Sequence, residues 1–200
     1  MLLTCAPASC YPTSLNIIPT TDSLEAGHLR LEFEHDGYPG LFGSDAESYF
    51  LLQAGLTDRL EAGVDLYHFD GSTLPALNAK YLLAPEGKLP AVALGILDVG
   101  NGMRPVSYAV LSADVSAMRL HAGAARTEGH THAMLGAEYE LRPGLYLLAD
   151  WQAGDEGYAT AGVYFEGAGG AALNLAIGFP NASEGSNLLI VNVARRFALR

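Results

Sequence analysis

The sequence has no long hydrophobic run. Half of its 200 residues are hydrophobic, yet mean hydropathy is only +0.17. The longest uncharged stretches are Met1–Thr21 and Gly167–Ser183. Pro7, Pro12 and Pro19 break the first; Gly169, Gly170, Gly178 and Pro180 break the second. Neither is the apolar helix of roughly 20 residues that crosses a bilayer. Transmembrane helices are excluded. A transmembrane barrel is not, because it carries apolar residues at every second position, where hydropathy averages see little. Basic residues are also scarce. Eleven Lys+Arg against 22 Asp+Glu leave a net charge of −11. That argues against nucleic acid, which requires a basic face, and against docking on anionic headgroups from the cytoplasm. Cysteine is limited to Cys5 and Cys10, which cannot staple the body of a fold or complete a metal cluster. No cofactor motif is present: the glycine clusters do not follow a strand and open a helix. Helical periodicity is missing over any stretch longer than about a dozen residues.

What is present is alternation of period two, nearly continuous from Gly27 onward. Gly, Asp, Asn and Pro clusters interrupt it every 8–15 residues or so. The pattern predicts about twelve strands, over 27–35, 46–56, 59–69, 76–83, 89–98, 106–114, 117–126, 131–141, 144–152, 158–166, 171–179 and 187–199. Leu29, Leu31 and Phe33 oppose Arg30, Glu32 and Glu34. Leu60, Ala62, Val64 and Leu66 oppose Arg59, Glu61, Asp65 and Tyr67. Asp98 breaks the parity of Val92, Leu94 and Ile96, and a bulge or the strand's end would repair it. Glycine (23) and tyrosine (10, against 7 Phe) suit β-structure with turns and aromatic belts.

The connections alternate as well. Short ones are expected at Thr57-Asp58, Pro85-Glu86-Gly87, Val115-Ser116, Arg142-Pro143 and Gly167–Gly170. Longer polar ones are expected at Asp36–Asp45, Asp70–Pro75, Val99–Pro105, Thr127–His130, Ala153–Gly157 and Pro180–Ser186. Long loops at one end and tight turns at the other are the layout of an outer-membrane barrel. A sandwich has no reason to sort its loops this way.

Which face turns inward decides the class. In a water-soluble barrel the apolar face is inside; in a membrane barrel it is outside. The charged face carries the cations Arg30, Arg59, Lys80, Arg119 and Arg196, with His121. Its anions are Glu32, Glu34, Glu61, Asp65, Glu138, Glu140 and Asp150. It also carries Gly63, Gly95, Gly123, Gly136, Gly162 and Gly178. Glycine has little purpose on a wet surface. Inside a narrow barrel it makes room for long charged neighbours, and mixed signs allow the pairing buried charge requires. The charged face is therefore expected to line a lumen. A soluble acidic β-barrel or sandwich, periplasmic or secreted, is the alternative.

The pattern resembles that of bacterial outer-membrane β-barrel proteins. Gly55-Leu56-Thr57-Asp58-Arg59-Leu60-Glu61-Ala62-Gly63-Val64 is similar to the strand–turn–strand repeats of small outer-membrane transporters of Gram-negative bacteria. Leu141-Arg142-Pro143-Gly144-Leu145-Tyr146 resembles another such repeat. Leu189–Phe197 resembles the C-terminal sorting strand of such barrels. The resemblance implies a single antiparallel up-and-down transmembrane β-barrel over 26–200, located in the outer membrane. It does not imply a substrate. Residues 1–25 are expected to be an N-terminal segment. Met1–Ala8 resembles the tail of a signal peptide, with Ala6-Pro7-Ala8 as a small-x-small cleavage triplet; an ordinary frayed terminus is the alternative.

Several side-chain groups could carry chemistry. His130 and His132 would share a strand face and are the candidate metal pair, against the plainer reading of a polar hairpin tip. Ser48 and His68 lie symmetrically about the turn at Asp58, so they should pair on the lipid-facing side. They are the candidate residues of a lipid esterase, which outer-membrane hydrolases with a Ser–His pair facing lipid permit. Asp70 is the nearest acid. Asp36, Asp45, Glu47, Asp70, Asp98, Asp155, Glu156 and Glu184 crowd the longer loops, where divalent cations could bridge them to lipopolysaccharide. The expected function is a passive channel or transporter for small polar solutes, or a structural barrel subunit of an assembly. Cofactors and nucleic-acid partners are not expected.

Overall fold

The computed structural model describes residues 13–38, 46–69, 72–84, 90–100, 102 and 104–199. The signal-like stretch with Cys5 and Cys10, Asp45, Asp70 and the Pro85-Glu86-Gly87 turn lie outside the described residues. Twelve strands form one sheet: β1 (His28–Gly37), β2 (Glu47–Thr57), β3 (Leu60–Phe69), β4 (Ser72–Ala84), β5 (Ala91–Val99), β6 (Val106–Val115), β7 (Met118–Thr127), β8 (His130–Arg142), β9 (Leu145–Gln152), β10 (Tyr158–Glu166), β11 (Ala171–Pro180) and β12 (Leu188–Ala198). Each pairs antiparallel with its neighbours in sequence, and β12 closes on β1 with Arg30 opposite Arg196 and Gly37 opposite Leu189. The expected all-β, up-and-down barrel is borne out. Closure satisfies every strand edge, which a sheet standing in hydrocarbon requires.

The turns follow local chemistry. At the β2–β3 turn the Thr57 hydroxyl accepts hydrogen bonds from the Arg59 and Leu60 amides at 3.1 and 2.9 Å, the side-chain turn that threonine favours. Asp98 takes a positive φ of 58°, and the β4–β5 register shifts beside it between Leu77 and Ala79. That bulge repairs the broken parity. Two expectations need correction. The connection at Thr127–His130 is not long: Glu128-Gly129, at φ 48° and 89°, forms a two-residue turn, with the double positive φ of the tight hairpin class. Strand β4 begins at Ser72, not after Pro75, because pairing with β3 runs through Leu66–Pro75 to Phe69–Ser72.

The faces are those of a membrane barrel. Leu31, Phe50, Leu94, Leu111, Leu135, Leu175 and Val193 stand exposed on the outer surface, while Glu61, Asp65 and Lys80 are enclosed. The soluble alternative requires the reverse and is not favoured. Aromatic residues ring the outer face at two levels. Tyr81, Tyr139, Phe165 and Phe197 lie toward the tight-turn end; Phe50, Trp151 and Phe179 lie toward the other. Such girdles mark bilayer boundaries. Arg195 also points outward, but near the strand's end, with its guanidinium 5.2 Å from the Phe197 ring centre. It can keep its charge at the interface there.

Candidate functional site

The lumen is the candidate site, and its walls differ. Strands β1–β4 and β12 supply a polar wall. Arg30 Nε lies 2.7 Å from Glu32 Oε2. Asn192 donates to Glu34 at 2.9 Å and also to Glu32. Asp65 accepts from Gln53 at 3.3 Å and from Asn78 at 2.6 Å. Glu61 and Lys80 are register partners, with Nζ 3.9 Å from Oε2 and both side chains fully enclosed. At the rim, the Tyr67 hydroxyl donates to Asp98 at 2.5 Å.

A second polar group stands on β6–β8. Arg119 reaches Asp114 at 2.9 Å and Glu138 at 3.6 Å. His121 Nδ1 is 2.7 Å from Ser112 Oγ, and its Nε2 is 3.6 Å from Glu138. Between these groups the inner wall is largely apolar, interrupted on β9–β11 by Asp150, Gln152, Thr160 and Asn174. Leu97, Val106, Tyr108, Val110, Met134, Leu148, Leu188 and Ile190 form one buried cluster. Tyr38, just past β1, packs on that cluster. Burial first, then nearby Asp36, holds its phenol well above the ordinary range.

Residues 13–24 occupy the lumen. Ser14 bridges Pro19, Thr20 N–H donates to Thr13 O at 3.1 Å, and Leu15 N–H donates to Ile18 O at 3.0 Å. This small hairpin projects into the barrel. Its tip meets Asp150, whose Oδ2 accepts the amides of Asn16, Ile17 and Ile18 at 2.9, 2.8 and 3.2 Å. Its base meets Glu61, which accepts Thr13 Oγ1 at 2.9 Å and Leu24 N–H at 2.8 Å.

Three of the lumenal glycines acquire a different reason from the expected one. A Cβ on Gly136 would lie 2.5 Å from Leu15 Cδ1, one on Gly162 would lie 2.6 Å from Asn16 Oδ1, and one on Gly95 would strike the Tyr108 ring. They make room for the N-terminal hairpin and an aromatic ring, not for long charged side chains.

Neither a protein-family model nor a curated protein sequence matches the chain. Solved structures do. The fold resembles the KdgM porin. One KdgM porin structure aligns over 84% of this chain and 99% of its own, with TM-score 0.65 at 11% identity. A KdgM porin in complex with disordered oligogalacturonate aligns over 86% and 99%, with TM-score 0.64 at 8% identity. A structure from work on in-meso crystallization of membrane proteins aligns over 86% and 83%, with TM-score 0.54 at 12% identity. At these identities the likeness is one of fold. It agrees with the small outer-membrane barrel that the alternation pattern resembles.

Within this porin-like frame the expected lumen residues separate. Arg30, Glu32, Glu34, Glu61, Asp65, Lys80, Arg119, His121 and Asp150 are buried or half-buried on the inner face, and Glu138 is half-buried. Arg59 sits exposed in the β2–β3 turn, and Glu140 and Arg196 are exposed near the tight-turn end. Arg196 reaches Glu166 at 3.5 Å. Ser48 and His68 stand opposite each other in register. The nearer partner of Ser48 Oγ is His35 Nδ1 on β1, at 2.8 Å, while His68 Nδ1 lies 3.3 Å from Thr73 Oγ1. His130 is exposed beside the Glu128-Gly129 turn, and His132 lies against Gly154. Among the described residues, no group of three or more His, Cys, Asp or Glu side chains is placed to hold a metal ion. Asp155, Glu156 and Glu184 are exposed in their loops. The residues of the hairpin tip, with Thr160 and Asn174 around it, are absent from the expected site.

Proposed function

We propose that the protein is an outer-membrane channel for small polar solutes that prefers cationic and neutral species to anions. The carrying observation is a closed barrel with its apolar face outward and its carboxylates inward. Among the described residues, Glu34, Asp36, Glu61, Asp65 and Asp150 are buried carboxylates, and Lys80 is the buried ammonium. A narrow, low-dielectric lumen with that excess favours cations. The oligogalacturonate of the KdgM porin complex is a polyanion, so the charge here supports a different cargo. Reversal potential in a planar bilayer under a KCl gradient tests the reading. The expected sign is that of potassium preference, moved toward zero by Glu34→Gln. Chloride preference would refute the selectivity; silence after verified insertion, in the parent and in variants that displace residues 13–24 from the lumen, would remove the channel. The occupied lumen favours a second reading, a non-conducting barrel that serves as a structural subunit, and silence is its expected result.

A further inference from the structure

We propose that the hairpin tip Leu15–Ile18 is a resident gate, held in the lumen by Asp150 and by a pocket shaped around it. The inference rests on the channel reading and says what closes the channel. The hairpin is not merely chain passing through a hole. Three successive amides converge on one carboxylate oxygen of Asp150, the way a backbone concavity takes an anion. Asn16 donates to Thr160 at 2.9 Å and accepts from Asn174 at 3.1 Å. The wall is recessed opposite the tip at Gly136 and Gly162. Ile18 is fully buried and Leu15 and Ile17 nearly so, against Met134 and Leu148 of the same apolar cluster. An apolar inner wall facing water would be costly, and the tip covers it.

The two ends of the hairpin are anchored differently. The base is tied by Glu61 and also by Lys80, which donates to the carbonyls of Thr13, at 3.4 Å, and Asp22. Arg119 adds an ion pair to Asp22 at 3.3 Å. At the tip, Asp150 is the charged anchor. Release of that end would leave the base as a tether, so the tip can swing without being lost. The close approach of Leu24 and Glu25 to Gly55, where a Cβ would lie 2.6 and 2.1 Å from their carbonyl oxygens, fixes the point from which it swings.

The test uses the full chain in planar bilayers. Gly136→Leu adds bulk where the Cβ would meet Leu15 and Ile18, with Asp150 Cβ at an ordinary 3.5 Å. It narrows the lumen, so a plain pore should conduct less. A gate should be expelled, raising open probability about tenfold or more. Ile18→Asp, which alters the hairpin and leaves the wall intact, should do the same. Parent-level conductance in both inserted variants, or a decrease in Gly136→Leu, would overturn the gate. A second readout separates this from failure of the channel reading. In a Cys5→Ser/Cys10→Ser background, Asn16→Cys should be shielded from an impermeant thiol reagent and become reactive when Gly136→Leu is added. Rapid labelling without Gly136→Leu would show the tip is not resident and would end the proposal. Silence of every inserted variant would end the channel reading and the gate with it, even if the shielding is found.

Discussion

Leu175→Arg is expected to lower the unfolding free energy of the barrel by roughly 2–4 kcal/mol. Leu175 stands on β11 between Val163 and Val191 of the flanking strands, between the levels of Phe165 and Phe179, and is 48% exposed. In water such a position would accept arginine within about 0.5 kcal/mol. In a bilayer the guanidinium must be carried to a level between the two girdles. Leu199→Arg, at the tight-turn end beyond β12, should cost only about 0–1 kcal/mol, since a charge there reaches the interface. The comparison is made by reversible denaturant unfolding in lipid vesicles. Trp151, the single tryptophan, reports the transition. Equal, small effects at both depths would remove the lipid-facing assignment of the outer surface.

The same alternation that assigns Leu175 to the outside made most of the barrel readable. Each strand presents enough apolar–polar pairs for its period to be counted, and antiparallel neighbours need only a short turn. Thr57-Asp58 placed Ser48 opposite His68 because register follows from the turn's centre. Pro75 was a poor boundary marker, since pairing along the whole of β3 outweighs a local breaker. Glu128-Gly129 lacks the Asn-Gly or Asp-Gly spelling of a two-residue hairpin turn, so that connection reads longer than it is. The gate was unreadable for a different reason. Leu15-Asn16-Ile17-Ile18 is too short to hold a period, and its partners Asp150, Thr160 and Asn174 are more than 130 residues away. Contacts of that range leave no local trace. Gly136 and Gly162 were its one visible sign, small residues on an inner face that read as room for long charged neighbours and instead face Leu15, Ile18 and Asn16.

Removing one member of the Glu61–Lys80 pair should produce the largest loss, about 3–5 kcal/mol for Lys80→Met. Both side chains are fully enclosed and stand opposite each other on β3 and β4. Without the ammonium, Glu61 would lose its charge partner, and the carbonyls of Thr13 and Asp22 would lose a donor. Glu61 would keep its bonds from Thr13 and Leu24, so its burial would remain incompletely compensated. The double variant Glu61→Leu/Lys80→Met should recover much of the loss, because replacing a buried pair by apolar groups is often near neutral. That non-additivity, read as a coupling energy in a double-mutant cycle, separates two pictures of the lumen. If water fills the barrel at this level, each single change should cost only about 0–1 kcal/mol and the coupling should vanish. A large coupling means the lumen is packed there. The base of the hairpin is then part of the folded core, and opening must come from the tip alone.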